Sequence, residues 1–238
     1  AALAVLRHGV VPWMANADDT NNERICAVLP IYMGRRPYDM QSCFPATRRG
    51  ELVLEVDVDD ADTGYDDLQM TVETIELLDA KPTHFERKVQ LAQTFAATGI
   101  NRVDLPLGNL VRGLLLFGTT GFQGATPVPS WGRVQLVADG VGVGYTSSDF
   151  EVLHALHGLM GHAMDPTDHR HVEADTGGPT GFGKDAGTDY LNYAYMNLDP
   201  WHDDAHAIDS GRVSRFQIEA NAETADAVRV IPIERIMV

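Results

Sequence analysis

Lysine and cysteine are the two scarcities of this 238-residue chain. Lys81, Lys88 and Lys184 are the only lysines among 18 basic residues, and Cys26 and Cys43 are the only cysteines. The basic deficit stands against 34 acidic residues, a formal net charge of -16. A protein that holds nucleic acid through phosphate contacts needs the opposite balance, so direct nucleic-acid binding is not expected. Cysteines seventeen apart, with no CxxC spacing, cannot build a zinc site by themselves. They read as two small buried hydrophobes or as a disulfide pair, and sequence does not measure the distance between them. Long hydrophobic runs are missing too, since nothing approaches the roughly 18 to 20 apolar residues of a membrane helix. Ala1 to Leu6 is too short for the apolar region of a signal peptide and follows no basic segment, so neither an anchor nor a leader is expected. No GxSxG, GxxxxGK[ST] or HExxH motif occurs, and no repeat of 20 to 50 residues is visible.

What is present is a chain 44% hydrophobic and 22% charged, enough to bury a sizeable core as one domain with insertions or as two small ones. Aspartate supplies 23 of the acidic residues. High Asp with little Lys resembles proteins of extreme halophiles, although a GC-rich genome would also exchange Lys for Arg. Such a surface stays soluble where salt screens its self-repulsion.

Residues 1 to 23 show no periodicity around Asn16-Ala17-Asp18-Asp19-Thr20-Asn21-Asn22 and read as an N-terminal arm. From Arg24 onward short apolar segments alternate with Gly, Pro, Asp and Asn, which predicts an all-β sandwich or barrel of about eight to ten strands. Arg24 to Met33 is the first strand candidate. Glu51 to Asp59 follows, a half-buried strand with Leu52, Leu54, Val56 and Val58 on one face and acids on the other. Apolar parity switches between Val72 and Ile75, which predicts a β-bulge at Glu73 or Thr74. Between Arg87 and Ala96, Val89, Leu91 and Phe95 share a face. Val111 to Thr119 is nearly continuous in Leu114-Leu115-Leu116-Phe117 and predicts a central strand covered on both sides. Trp131 to Ala138 and Val141 to Tyr145 predict a hairpin turning at Asp139-Gly140. Ser148-Asp149 predicts the start of a helix over Phe150 to Met164. Residues 165 to 189, rich in glycine, read as a long exposed loop, and Tyr190 to Leu198, Val213 to Asn221 and Ala227 to Met237 restore the strand pattern.

Three constellations could carry chemistry. His154, His157, His162, His169 and His171 crowd into eighteen residues, with His202 and His206 later. With Asp165, Asp168 and Glu173 they could ligate a metal, or stand as solvated imidazoles. Asp57, Asp59, Asp60, Asp62, Asp66 and Asp67 surround Gly64, and Asp199, Asp203 and Asp204 surround Trp201. Hard oxygens in such clusters can hold calcium, but no EF-hand glutamate follows, and solvated acidic turns are the simpler reading. Trp131, Trp201, Tyr190, Tyr193 and Tyr195 could stack on a sugar or be core residues.

The order of several segments adds a resemblance. Leu29-Pro30-Ile31-Tyr32-Met33-Gly34, Phe44-Pro45-Ala46-Thr47 and the stretch Glu51 to Val58 resemble the opening of jelly-roll major capsid proteins of tailless icosahedral viruses with an internal membrane. Val111-Arg112-Gly113-Leu114-Leu115-Leu116-Phe117, Val134-Gln135-Leu136-Val137 and Val213-Ser214-Arg215-Phe216-Gln217-Ile218-Glu219 are similar to later strands of the same proteins. The resemblance covers roughly residues 24 to 147 and 190 to 238, and strand order carries it more than any one residue. It implies a single vertical jelly roll over residues 24 to 238, with 148 to 211 as a loop or tower insertion. The Asp-rich surface fits the halophilic archaeal, sphaerolipovirus-like branch.

This likeness implies assembly in place of an active site. The chain would self-associate into capsomers of a virion, alongside a second jelly-roll capsid protein, with vertex proteins and an internal membrane as further neighbours. No cofactor, metal or catalytic residue is expected. Two other readings are a cupin-like metal enzyme using the 154 to 171 histidines inside a barrel, and a sugar-binding sandwich.

Overall fold

The computed structural model describes residues 13–17, 24–28, 30–48, 51–56, 70–119, 130–159 and 193–238, with backbone alone at 13–17, 24–28 and 157–159. Two short strands, β1 (Trp13–Ala17) and β2 (Arg24–Val28), pair antiparallel as a separate ribbon. The predicted arm thus contains a strand, which its polar composition did not signal. The remaining strands are β3 (His84–Lys88), β4 (Leu91–Phe95), β5 (Gly99–Asp104), β6 (Leu110–Gly118), β7 (Arg133–Ala138), β8 (Val141–Gly142), β9 (Ser148–Asp149), β10 (Tyr193–Asn197), β11 (Ile208–Asp209), β12 (Phe216–Ala222) and β13 (Asp226–Met237). Helix α1 (Phe150–Leu159) lies on the predicted helix.

These strands form two antiparallel sheets. One runs β10-β6-β13-β3, with β4 also on β13 and β11 on β6, and the other runs β5-β12-β7-β8, with β9 on β7. β3 and β4 are one strand in a single register against β13, interrupted at Val89 and Gln90. The interruption faces Ile231 and Pro232, and proline has no N–H to give a ladder. Counting β3 and β4 together, the eight principal strands order as sixth, third, eighth, first in one sheet and second, seventh, fourth, fifth in the other. The chain therefore crosses between sheets almost every time it turns, which is the double Greek key of a jelly roll.

Residues from the inner faces of both sheets fill the space between them. Phe95, Leu114, Leu116, Trp131, Leu136, Met196, Phe216, Ile218 and Val230 are all buried there, joined by Phe150 and Leu153 of α1. Each such side chain contributes about 1.5–3 kcal/mol of burial free energy. Trp131 donates its indole N–H to the Phe117 carbonyl at 2.9 Å and meets Phe95 edge-on at 5.1 Å, so its polar atom is matched inside the core. β6 is buried along nearly its whole length, as its continuous apolar run predicts. The Asp139-Gly140 turn is also as predicted, with positive φ at both residues (48° and 83°), the type I′ geometry of two-residue hairpins.

Two expectations fail. Glu51 to Asp59 is not a half-buried strand where it is described: Glu51 closes a turn on the Arg48 carbonyl at 3.1 Å, residues 51–56 join no ladder and are exposed at every position, and residues 57–59 lie outside the described residues. Alternation signals that a segment is fit to be a strand, yet burial needs a neighbour, and no described part of the fold supplies one. Residues 70–76 likewise form no ladder, so no bulge sits at Glu73 or Thr74. The register shift that does occur lies at Arg112, because Gly113 faces Ile233 while Val111 faces Glu234. The extra residue turns Arg112 away from the core side that Val111, Leu114 and Leu116 share. Gly113 itself must be glycine, since a Cβ there would sit 2.3 Å from the Tyr195 hydroxyl.

Candidate functional site

The bulge at Arg112 aims a fully buried guanidinium at a dense polar cluster. Arg112 donates through Nε to Asp204 Oδ1 at 2.7 Å and through Nη2 to Asp204 Oδ2 at 3.1 Å. Nη1 reaches Glu86 of β3 at 3.3 Å, and Nη2 meets His84 Nε2 at 3.2 Å. Glu86 is as buried as Arg112 and has Lys88 3.6 Å away. Arg235 of β13 adds a third contact to Asp204, 2.8 Å from Oδ2. Nearby, Glu234 is fully buried and accepts from Arg87 Nε at 3.0 Å, Arg87 Nη2 at 2.9 Å and Asn109 at 2.9 Å.

Two loops are fastened here. Residues 30–48 run beside β3: Glu86 N donates to the Met33 carbonyl at 2.8 Å, Thr83 N to the Gln41 carbonyl at 3.0 Å, and Lys88 Nζ to the Tyr32 carbonyl. Arg35, held by its own N–H on Ser42 Oγ at 3.0 Å, extends from this segment to Asp204, to the His202 carbonyl and to Asp199 at 3.2 Å. The second loop is the turn after β10. Asp204 N donates to Asp199 Oδ1 at 2.9 Å, and His202 and Asp204 both take the left-handed conformation (φ 58° and 64°) that folds the carboxylates inward. Asp204 thus collects three arginines from three distant parts of the chain.

The electrostatics follow from that crowding. Burial alone would raise the Asp204 pKa, but the hydrogen bonds and charge of Arg112, and then Arg35, hold it far below the ordinary value of 3.8. His84 is pushed below 6.5 by burial first, and then by Arg112, Arg235 and Arg35, with Asp204 opposing. A neutral imidazole agrees with the geometry, because Nε2 faces a guanidinium donor and must accept, leaving Nδ1–H for Thr83 Oγ1 at 3.0 Å. Chemically this arrangement is a clamp. Asp204 is held ionised with donors on both oxygens, whereas the buried Asp199 Oδ2 faces Arg35 Nε at 3.2 Å and Arg112 Nε at 3.9 Å without a hydrogen bond among the described residues, and the Ser42 hydroxyl is bonded to Asp39.

The residues singled out from sequence are scattered by the fold. His154 is half-buried on α1 with Nδ1 bonded to the Tyr193 carbonyl at 2.7 Å, and the His157 side chain, His162, His169, His171, Asp165, Asp168 and Glu173 lie outside the described residues. The acids at 57 to 67 and Tyr190 lie outside them as well. Asp199 and Asp204 do come together, but around arginines. Trp131 is core and Trp201 is exposed, while the buried Tyr195 and the half-buried Tyr193 share the outer face of β10 with Leu115, Ile231 and Ile233. Cys43 carries a free thiol. Among the described residues no group of three or more His, Cys, Asp or Glu is arranged to hold a metal, and no helix is long and apolar enough to cross a membrane. Sequence reading missed Arg35, His84, Glu86, Arg112, Glu234 and Arg235. One signal was available: Arg112 interrupts an apolar strand, and a charge in that position needs a buried partner.

A different feature faces outward. Leu52, Val53, Leu54 and Val56 are exposed, as are Met70, Val72, Ile75 and Leu78, and Ile100 stands exposed on β5. β5 is paired on one side only among the described residues.

No family model matches the sequence, and no curated protein matches it. Among solved structures, the chain is similar to the major capsid protein of bacteriophage PM2, with a TM-score of 0.41, 9% identity, and coverage of 65% of this chain and 45% of that one. It is similar to the PBCV-1 virus capsid, with a TM-score of 0.42, 5% identity and coverage of 64% and 47%. It is also similar to the major capsid protein of Sulfolobus turreted icosahedral virus, with a TM-score of 0.43, 10% identity and coverage of 65% and 42%. The chain spans less than half the length of each of these matched chains.

Proposed function

We propose that this chain is a structural subunit of a viral capsid that works by self-association and catalyses no reaction. The observation that carries the reading is the division of apolar side chains. The space between the sheets, where a cupin-like enzyme would hold its metal, is filled by Trp131, Leu136, Leu116, Met196 and Phe216, each buried. At the same time a row of large apolar residues from Leu52 to Val56, and again from Met70 to Leu78, stands in water. Monomeric proteins seldom leave large apolar side chains exposed in such close succession along the chain. A jelly roll also leaves strand edges that need protection or association. The segment resemblance described above supports the same reading, with the virion as the location.

In the finer form of the proposal, residues 24 to 238 are the jelly-roll capsid domain, residues 1 to 23 an arm, and 148 to 211 a loop or tower. The subunit stands normal to a shell over an internal membrane, beside a second jelly-roll capsid protein, in a virus of a halophilic archaeon. The net charge of -16 supports a saline setting, because crowding such subunits requires screening of their repulsion. Sedimentation velocity of the purified chain against concentration, in molar salt and after dilution to low salt, tests the assembly role. Multimers that grow with concentration and dissociate at low salt are expected. A monomer at every concentration and salt, including in mixtures with a candidate partner capsid protein, would overturn it.

A further inference from the structure

We infer that His84 is an acid-sensitive latch for the 30–48 segment: a proton turns its ring from an acceptor of Arg112 into a second donor facing it, and loosens the segment from β3. The inference goes beyond assembly and concerns the single chain. With a neutral imidazole, one directed relay runs from the buried cluster to the segment. Arg112 Nη2 donates to His84 Nε2 at 3.2 Å, His84 Nδ1–H to Thr83 Oγ1 at 3.0 Å, and the Thr83 hydroxyl to the Gln41 carbonyl at 3.4 Å. The same carbonyl receives the Thr83 N–H at 3.0 Å, and Glu86 N–H reaches the Met33 carbonyl at 2.8 Å. A guanidinium has no lone pair to offer, so the first link exists only while Nε2 accepts.

The charges around His84 decide where a proton drives it. β6 supplies Arg112, β13 Arg235, and the 30–48 segment Arg35 and Asp39. The turn after β10 supplies Asp204, alongside Asp199 and His202, and β3 itself carries Glu86 and Lys88 on the same side. Asp204 already accepts from Arg112, Arg35 and Arg235, and Glu86 from Arg112. An imidazolium Nε2–H would stand 3.2 Å from Arg112 Nη2, donor against donor. Burial first, and then the three arginines, accordingly hold the His84 pKa below 6.5. The charge of His84 also reaches Asp39, whose carboxylate shapes the segment. Its Oδ1 accepts from Gln41 N–H at 2.9 Å and its Oδ2 from the Ser42 hydroxyl, whose oxygen in turn holds Arg35 N–H at 3.0 Å. An imidazolium repelled by Arg112 and attracted by Asp39 breaks the relay and competes for the carboxylate that folds residues 39–42. The segment so loosened carries the exposed Ile31, Tyr38 and Met40.

Amide hydrogen exchange of the full chain, read residue by residue by NMR, tests the latch. Thr83 and Glu86 report on it, since their acceptors lie on the segment, and Ile218 of β12 reports on global opening. The His84 pKa is below 6.5 while the segment is closed and near 6.5 once it opens, so opening takes up a proton and grows as pH falls. Thr83 and Glu86 are expected to exchange faster than Ile218. Their opening, corrected for the intrinsic rate, is expected to rise severalfold from about pH 7.5 to about pH 5.5, with about tenfold as the ceiling. His84→Gln keeps an acceptor for Arg112 and a donor for Thr83 but takes no charge, and is expected to abolish the rise, whereas His202→Gln keeps it. The inference is overturned by no rise in the unaltered chain, by a rise that survives His84→Gln or follows His202, or by reporters that exchange only together with Ile218. If His84→Gln fails to fold, the unaltered chain still decides. Its His84 ring and Gln41 amide are expected to shift with one common midpoint below 6.5, and a Gln41 amide that does not follow the ring contradicts the latch.

Discussion

Replacing Arg112 by methionine probes the clamp at its centre. The two side chains are similar in volume, so the change removes charge and donors with little change in packing. Arg112 is fully buried and reaches Glu86 at 3.3 Å and Asp204 at 2.7 Å. Asp204 keeps Arg35 and Arg235, whereas the fully buried Glu86 is left with Lys88 at 3.6 Å. Glu86 therefore loses the guanidinium that neutralises its charge at 3.3 Å. Breaking a buried pair from one side costs about 3–5 kcal/mol. For a chain of this size each kcal/mol moves Tm by about 2–4 °C, so Arg112→Met lowers Tm by roughly 6–20 °C in calorimetry. Removing both charges, with Arg112→Met and Glu86→Leu, recovers more than half of that loss, since an apolar pair leaves no orphaned charge. The cost changes little with salt, unlike that of breaking the exposed Arg212–Asp209 pair. A loss under about 1 kcal/mol for the single variant, or a double variant no better than it, would refute the argument.

The remaining predictions concern three other positions. Because the folded pKa of His84 is depressed, the folded chain binds fewer protons than the unfolded chain once pH drops below 6.5. Stability is therefore full above that value and declines as pH falls through it, and His84→Gln flattens this part of a denaturant-midpoint profile. Asp204, also depressed, adds a further loss as pH falls below 3.8. Gly113→Ala drives a methyl into the Tyr195 ring and destabilises by about 1–3 kcal/mol in chemical denaturation. Tyr195→Leu in the same chain relieves part of the clash. Arg35→Ala releases the 30–48 segment from Asp199 and Asp204, and limited chymotrypsin digestion is expected to cut after the exposed Tyr38 much faster while the sandwich stays folded.

Where a sequence signal and its cause lay in the same segment, the fold was legible. The apolar run of β6, the Asp139-Gly140 turn and the helix after Asp149 each follow from local pattern, and the structure has all three. Legibility stopped where a distant partner decides the outcome. Leu52, Leu54 and Val56 have strand parity whether or not a neighbour exists, so parity could not say that they face water. The Val72 to Ile75 parity switch suggested a bulge, while the actual one at Arg112 is set by pairing with β13, more than a hundred residues later. The clamp was hidden for the same reason: Arg35, Glu86, Arg112, Asp204 and Arg235 come from five separate segments, and no local spacing links them. The histidines, by contrast, are close in sequence, and proximity made them conspicuous before any geometry was known.

Electron microscopy of the multimeric fraction in molar salt tests the central claim most directly. If the chain is a capsid subunit, the images show sheets, rings or shells with a regular repeat, and the repeat is lost on dilution to low salt while the monomer remains folded. Amorphous aggregates, or a dispersed monomer with no ordered species at any concentration and with any candidate partner, would contradict it.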